Sequence, residues 1–359
     1  MRKCVTLLCC LIAGCLTLSA QNDAQYTLFP WAKLYYNPGT TGEQTNSLCF
    51  TGIFLNRNTA MKENQWLASQ TTATSNKPNG SNNDKGGSDW NENIGSRDFM
   101  FNVEYYSRKI RGAFGLSFVS DHIAIWNNVT IRLGYAYKMK IARGSLGIGL
   151  QAGLLNQSLN KAALRPLEDD DPLLVFSEDP TELNFDFNFG LYYKTDTWDV
   201  GISGVNLLGK QAKQTLSGEG LLNPSRQLYI HGGYNWILPS YPDWAIEPKA
   251  LIKTDFASFQ TDIAVLTRYK GVVWGGLSYR IQDAASILFG ARPFYNSSNN
   301  YLKGLDVGFA YSFTTTKYGY TKRGSMGDIE VMVRYCFDFY KSEIFSGYGN
   351  SRAIYRNEY

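Results

Sequence analysis

Few side chains in this sequence have the types and spacing that catalysis requires. Asp121 and His122 are adjacent, and an aspartate–histidine pair can serve as a general base. A catalytic histidine also needs an orienting group and a partner that faces the substrate, which one adjacent pair does not provide. The favoured interpretation is an aspartate that caps its own turn backbone. The second histidine, His231, falls on the inward face of a predicted strand.

Two further motifs suggest ligand binding only weakly. An acidic run at 168–171, followed by Glu178 and Asp179, offers the carboxylate oxygens that Ca²⁺ prefers, but it lacks the glycine-centred spacing of a calcium loop. A solvated outer loop is favoured instead. The glycines within 147–153 faintly resemble a dinucleotide-binding motif, yet no helix follows them. The sequence therefore predicts no enzyme, no cofactor and no metal site.

The cysteines are unevenly distributed. Of the six, only Cys49 and Cys336 lie outside the first 20 residues. They fall near the periplasmic ends of the first and last predicted strands, and alternation turns both side chains inward. A disulfide could join them in an oxidising compartment if their Cα atoms lie roughly 4.4 to 6.8 Å apart. The favoured interpretation is a pair of ordinary small interior residues, and the disulfide stays open as the alternative.

The N-terminus has the features of an export signal. Arg2 and Lys3 precede an apolar stretch at 5–18, and small residues end at Ala20. We interpret residues 1–20 as a cleaved secretory signal peptide. A second interpretation stays open, in which Cys15 is the acylated residue of a lipoprotein.

Composition narrows the class of exported protein. After the leader, no stretch approaches the roughly 18 to 20 apolar residues of a transmembrane helix. Aromatic residues make up 14% of the chain, with 24 Tyr and 34 Gly, and charged residues only 18%. An outer-membrane β-barrel combines aromatic girdles with a polar interior in this way. The net charge of +4 is modest and spread along the chain, which gives no case for binding nucleic acid.

Alternation of apolar and polar residues is the main structural signal. Between 184 and 192, Phe185, Phe187 and Phe189 alternate with Asp186 and Asn188. A period of two is the geometry of a strand with unlike faces, and roughly 9 to 11 residues let a tilted strand cross a bilayer. The predicted fold is an all-β transmembrane antiparallel barrel of about 14 strands. The predicted strands are 47–55, 97–106, 112–120, 128–139, 144–155, 184–193, 197–207, 226–236, 243–253, 259–268, 271–280, 284–291, 303–313 and 328–337.

The connection lengths agree with this assignment. With the N-terminus in the periplasm, the long connections 56–96, 156–183, 208–225 and 314–327 all follow odd-numbered strands and face outside. Connections after even-numbered strands are short, except 292–302. Long outer loops and short periplasmic turns are typical of outer-membrane barrels.

The domain layout follows from these assignments. We expect a periplasmic N-terminal segment at 21–46, an outer-membrane barrel at 47–337 and a periplasmic C-terminal tail at 338–359. The tail is rich in aromatic and arginine residues, as contact surfaces are, and we expect it to bind a periplasmic partner or to pack under the barrel. The candidate partner-binding residues in it are Tyr340, Tyr348, Arg352, Tyr355 and Arg356.

Four stretches in order, 26–42, 114–159, 185–208 and 226–293, resemble the PorP/SprF family of type IX secretion outer-membrane proteins. They include YTLFPWAKLYYNPGTTG at the start and FDFNFGLYYKTDTWDVGISGVNLL further on. The chain departs from the family at Gly39, where an alanine is usual after the Asn-Pro step.

The resemblance implies an integral outer-membrane component needed for export of proteins with a C-terminal sorting domain. It also implies outer-membrane lipid as surroundings and periplasmic partners such as the PorK/PorN ring and a PorE-type lipoprotein. The family has no known catalytic residues. The alternative function is a passive outer-membrane channel for small solutes, although inward Tyr229 and the N-terminal segment could fill the lumen.

Overall fold

The computed structural model describes residues 24–44, 47–57, 96–123, 126–159, 181–208, 225–256, 258–296, 302–315 and 327–338. Their main feature is a closed antiparallel β-barrel in which each strand pairs with its neighbours along the chain, and the last strand pairs with the first. The strands are β1 (Ser47–Asn56), β2 (Arg97–Ser107), β3 (Gly112–Ile123), β4 (Trp126–Ile141), β5 (Gly144–Leu159), β6 (Thr181–Lys194), β7 (Trp198–Val205), β8 (Gln227–Tyr234), β9 (Trp236–Leu238), β10 (Tyr241–Thr254), β11 (Phe259–Tyr269), β12 (Val273–Arg280), β13 (Ala284–Ala291), β14 (Leu305–Thr314) and β15 (Asp328–Asp338).

The predicted fold class is confirmed, because fourteen long strands match the fourteen predicted segments. The extra element, β9, is a three-residue continuation of β8 that pairs with the same neighbour, β10. The pairing is interrupted between Lys249, a partner of β8, and Ile246, a partner of β9. Pro248 lies in that interval, and proline has no backbone N–H to donate to a ladder. The prediction ended this strand at 236 and placed 237–242 in the connection, so it covered β8 but only the first residue of β9.

The two faces of the wall have opposite polarity. On β6, Asp186 and Asn188 point inward and are buried, whereas Phe185 and Phe187 point outward with 71% and 46% of their surface exposed. Large apolar side chains on an outer surface are costly in water and favourable in hydrocarbon. Aromatic pairs such as Tyr193 with Trp198 lie at the periplasmic end of the wall, as a girdle does.

Helical structure among the described residues is limited to short turns. The longest of these helices, α1 (Lys33–Tyr36), lies between the 3-10 turns Phe29–Trp31 and Pro38–Thr40. Within the described ranges, no helix is long and apolar enough to cross a membrane.

The N-terminal segment lies inside the barrel. We expected a periplasmic segment at 21–46 that could also fill the lumen, and residues 24–44 contact inward-facing side chains around the ring. The physical reason is the interior itself: an inward face rich in ionisable groups is stabilised when another part of the chain supplies partners for them. We call residues 24–44 the plug.

Candidate functional site: the lumen and its plug

The first part of the plug is held in the outer half of the lumen. The backbone N–H groups of Thr27 and Leu28 donate to the carboxylate of Glu330 on β15, at 2.7 and 2.9 Å. Gln25 exchanges side-chain hydrogen bonds with Gln260 on β11. Burial of a carboxylate is costly unless donors pair with it, and here the plug backbone provides them.

The next part crosses to the periplasmic half. Trp31 stacks on Trp274 of β12, with ring centroids 4.3 Å apart. Both indole N–H groups donate to the carboxylate of Asp306 on β14, at 3.3 and 3.0 Å. Arg292 donates to the same carboxylate at 3.2 Å. Trp31 is therefore held in two ways, by stacking on Trp274 and by its hydrogen bond to the buried carboxylate of Asp306.

An ion cluster ties the middle of the plug to its end. Lys33 lies 2.9 Å from Glu43 and 3.5 Å from Asp199, and Lys194 lies 3.0 Å from Glu43. Burial alone would lower the pKa of Lys33, but the carboxylates of Asp199 and Glu43 outweigh it and raise that pKa. Burial would likewise raise the pKa of Glu43, but Lys194 and Lys33 hold it well below its ordinary value. Both groups are therefore charged near neutral pH.

Asn37 organises the turn that follows. Its side-chain oxygen accepts from the backbone N–H of Gly39 at 2.8 Å. Its amide nitrogen donates to the carbonyl of Leu191 and lies 3.0 Å from Nε2 of His231. Because an amide nitrogen can only donate, Nε2 of His231 acts as the acceptor, which assigns the ring proton to Nδ1. His231 is therefore a structural partner of the plug.

The wall facing this turn is made of glycines. A Cβ atom at Gly149 would overlap the backbone of Pro38, and a Cβ at Gly190 would overlap the side chain of Asn37. Gly147 is equally close to the carbonyl of Gly39, which also accepts from Lys138 at 2.9 Å. We call Gly147, Gly149 and Gly190 the glycine seat. Gly147 and Gly149 therefore do not form a nucleotide-binding motif but allow the backbone of the plug to lie close to β5.

The plug ends near the base of the first strand. The backbone N–H of Gly42 donates to Glu104 on β2 at 2.8 Å, and Gly42 has a positive φ of 68°. The plug therefore contacts β11 near its N-terminal end and β2 at its C-terminal end, and between these points it contacts β15, β14, β7 and β8.

The structure places the predicted cysteine pair together. Cys49 and Cys336 are direct partners in the register of β1 and β15, and their sulfurs are joined. Their Cα atoms are 4.0 Å apart, which is shorter than the roughly 4.4 to 6.8 Å expected from the usual geometry. Both side chains point inward and are buried, as alternation predicted. The five tail residues predicted to bind a partner lie outside the described residues, so that assignment stays a prediction.

The motifs considered for catalysis are not brought together. Asp121 and His122 are consecutive residues of β3, so their side chains point to opposite faces of the wall. His122 contacts Asn127 across the β3–β4 hairpin. The acidic residues at 168–179 lie outside the described residues. In the part of the chain that the structure describes, no group of three His, Cys, Asp or Glu could hold a metal ion.

These features define the class: an integral outer-membrane β-barrel whose lumen holds its own N-terminal segment. The model of the type IX secretion system membrane protein PorP/SprF family matches residues 18–335. The chain therefore belongs to that family, and it is an outer-membrane protein of the type IX secretion system. Family and fold are those of a secretion-system membrane barrel rather than of an enzyme type.

Solved structures with a similar fold are outer-membrane barrels. The CymD monoaromatic hydrocarbon channel has a TM-score of 0.50 and 13% identity, covering 86% of this chain and 93% of its own. The P. putida toluene transporter TodX has a TM-score of 0.44 and 10% identity, covering 85% of this chain and 93% of its own. Identities this low concern the fold alone. A comparison of the sequence with curated proteins finds no match.

Proposed function

We propose that this protein is a plugged docking component of the type IX secretion machine, which holds periplasmic partners at the outer membrane. The observation that carries the proposal is the plug: a segment of the chain lies inside the lumen and is bonded to strands around the ring. While the plug is in place it occupies the path through the barrel, and this favours a role for the outer surfaces of the protein over a role as an open pore.

The family membership gives the setting for docking. Type IX membership implies periplasmic secretion-system partners in general. By resemblance, the candidates are the PorK/PorN ring and a PorE-type lipoprotein, and the process served is export of proteins with C-terminal sorting domains. The predicted tail at 338–359 starts from the periplasmic end of β15, where such partners could reach it.

The plug also bears on the alternative of a passive channel. Two structures of similar fold are described as a hydrocarbon channel and a toluene transporter. A pore of that kind needs a continuous path, whereas here Trp31, Tyr36 and Asn37 are buried within the lumen. Low single-channel conductance in planar bilayers is the expected result, and a large, stable conductance would favour the channel.

Affinity purification of the tagged full-length protein in mild detergent, followed by mass spectrometry, tests docking directly. We expect enrichment of periplasmic ring and lipoprotein components over a control barrel of similar size. Recovery of the barrel alone, together with open conductance, would contradict the proposal.

A further inference from the structure

Two neighbouring periplasmic turns carry an unusual concentration of positive charge. The β2–β3 turn exposes Lys109 and Arg111, and the β4–β5 turn exposes Lys140 and Arg143. The turns lie side by side, because the backbone N–H of Lys138 donates to the carbonyl of Arg111 at 2.8 Å. We call Lys109, Arg111, Lys140 and Arg143 the basic rim patch.

Hydrogen bonds from the aromatic girdle fix the level of this patch relative to the membrane. The hydroxyl of Tyr135 donates to the carbonyl of Ile110, and the hydroxyl of Tyr193 donates to the carbonyl of Ile141, each at 3.0 Å. Tyrosines with one apolar and one wet end mark the interface between hydrocarbon and headgroups. The two turns therefore stand at the level of the periplasmic headgroups.

The side chains between the cations suit that level. Ile110 and Ile141 lie at the tips of the turns with 41% and 43% of their surface exposed. An exposed isoleucine beside lysine and arginine is favourable where acyl chains meet phosphates. The same pairing would be less favourable on a face directed only at water.

Three of the four cations of the patch have no carboxylate partner among the described residues. Over the described ranges, no ion pair joins Lys109, Arg111 or Arg143 to a carboxylate, whereas other periplasmic cations have such partners. Lys270, for example, lies 3.9 Å from Asp243. Lys109, Arg111 and Arg143 are therefore available to an external anion.

We propose that the basic rim patch binds the phosphate groups of anionic phospholipids in the periplasmic leaflet of the outer membrane. Each basic side chain near an anionic surface contributes roughly a fivefold gain in lipid affinity. Four of them on adjacent turns create a local preference on one side of the barrel. That preference fixes which side of the barrel carries an anionic lipid shell, and it does not depend on the proposed docking function.

Native mass spectrometry of the full-length protein tests this proposal, with phosphatidylglycerol and phosphatidylcholine supplied in equal amounts. We expect the wild type to retain phosphatidylglycerol at least about tenfold over phosphatidylcholine. The variant Lys109→Gln/Lys140→Gln should lose most of this preference. The matched control Lys270→Gln/Lys303→Gln removes the same charge elsewhere on the rim and should keep it. Unchanged strand content by circular dichroism shows that each variant is folded.

Other results would overturn the proposal. Equal retention of both lipids by the wild type, or equal loss in the control, would show that the patch is not a lipid site. Displacement of the lipid by inorganic phosphate at the same concentration would indicate a site for free anions. A patch variant that keeps its lipid preference but no longer retains periplasmic proteins would indicate an acidic protein surface as the ligand.

Discussion

Gly149 on β5 lies so close to Pro38 of the plug that a Cβ atom at Gly149 would overlap the Pro38 backbone. Gly149→Ala combined with Gly190→Ala should therefore displace the plug. Overpacking of this kind costs about 1 to 3 kcal/mol per site. We expect a lower melting temperature and raised conductance in planar bilayers. Gly52→Ala is the control, because a Cβ there meets only an ordinary contact at 3.9 Å. A double variant with the melting temperature and conductance of the wild type would show that the glycine seat is not needed to accommodate the plug.

Glu330 provides a test of the outer end of the plug. In the wild type the backbone N–H groups of Thr27 and Leu28 donate to different oxygens of the Glu330 carboxylate. Glu330→Gln replaces one of these oxygens with an amide nitrogen, which cannot accept, so one of the two N–H groups loses its partner. A buried donor left without a partner costs about 1 to 3 kcal/mol. Denaturant unfolding in detergent should show a loss of this size, and proteolysis should cut the segment near Thr27 faster. Unaltered cleavage rates would mean that this end of the plug is not held by Glu330.

The ion cluster predicts a pH dependence. The pKa of Glu43 is lowered, so its contribution is complete above its ordinary value of 4.5 and is lost as the pH falls through the lower folded value. The pKa of Lys33 is raised, so its contribution is complete below its ordinary value of 10.5 and is lost only as the pH rises through the higher folded value. Plug stability from this cluster should thus be constant between pH 4.5 and 10.5 and fall outside that window.

Glu43→Gln isolates the acidic limb of this dependence. Breaking a mostly buried ion pair costs about 3 to 5 kcal/mol, so the variant should melt at a lower temperature near neutral pH. The difference in melting temperature between the variant and the wild type should shrink as the pH falls well below 4.5, because Glu43 of the wild type is then protonated in both the folded and the unfolded protein. A difference that stays constant down to acid pH would show that the charge of Glu43 is not what stabilises the plug.

The cysteine pair predicts a staple across the seam of the barrel. Alkylation of the denatured, non-reduced protein should add no mass at Cys49 or Cys336, and two adducts should appear after reduction. A bond across 287 residues should stabilise the protein by about 2 to 4 kcal/mol, which Cys336→Ser would remove. Adducts on both residues without reductant would show two free thiols.

The tail can be tested without reference to its structure. A chain that ends at Asp338 should still fold and insert, since β15 is complete at that residue. We expect it to lose co-purifying periplasmic partners and to secrete less cargo. Secretion at the wild-type level would contradict a partner-binding role for residues such as Arg352 and Tyr355.

The sequence by itself determined the wall of this protein. Alternation is a local property with a period of two, so Phe185 and Asp186 can be assigned to opposite faces without any knowledge of the fold. Closure of an even number of strands then places the first beside the last, which is why the sequence could place Cys49 and Cys336 near each other. Family membership was likewise visible in the order of several stretches.

The sequence offered the N-terminal segment as something that could fill the lumen, and the tertiary structure decided that it does and which side chains hold it. Residues 24–44 have no strand period, and their partners Glu330 and Asp306 lie 303 and 275 residues further along the chain. Gly149 is needed because the backbone of Pro38 lies against it. The residues around Gly149 in the sequence do not reveal this long-range contact. Charged residues on inward faces, such as Asp262 and Arg280, indicate from sequence alone that they need partners of opposite charge. Which groups become partners is fixed only when the barrel closes and brings the inward faces of all strands together. Which segment enters that interior is decided by the fit between its shape and charge and those of the wall.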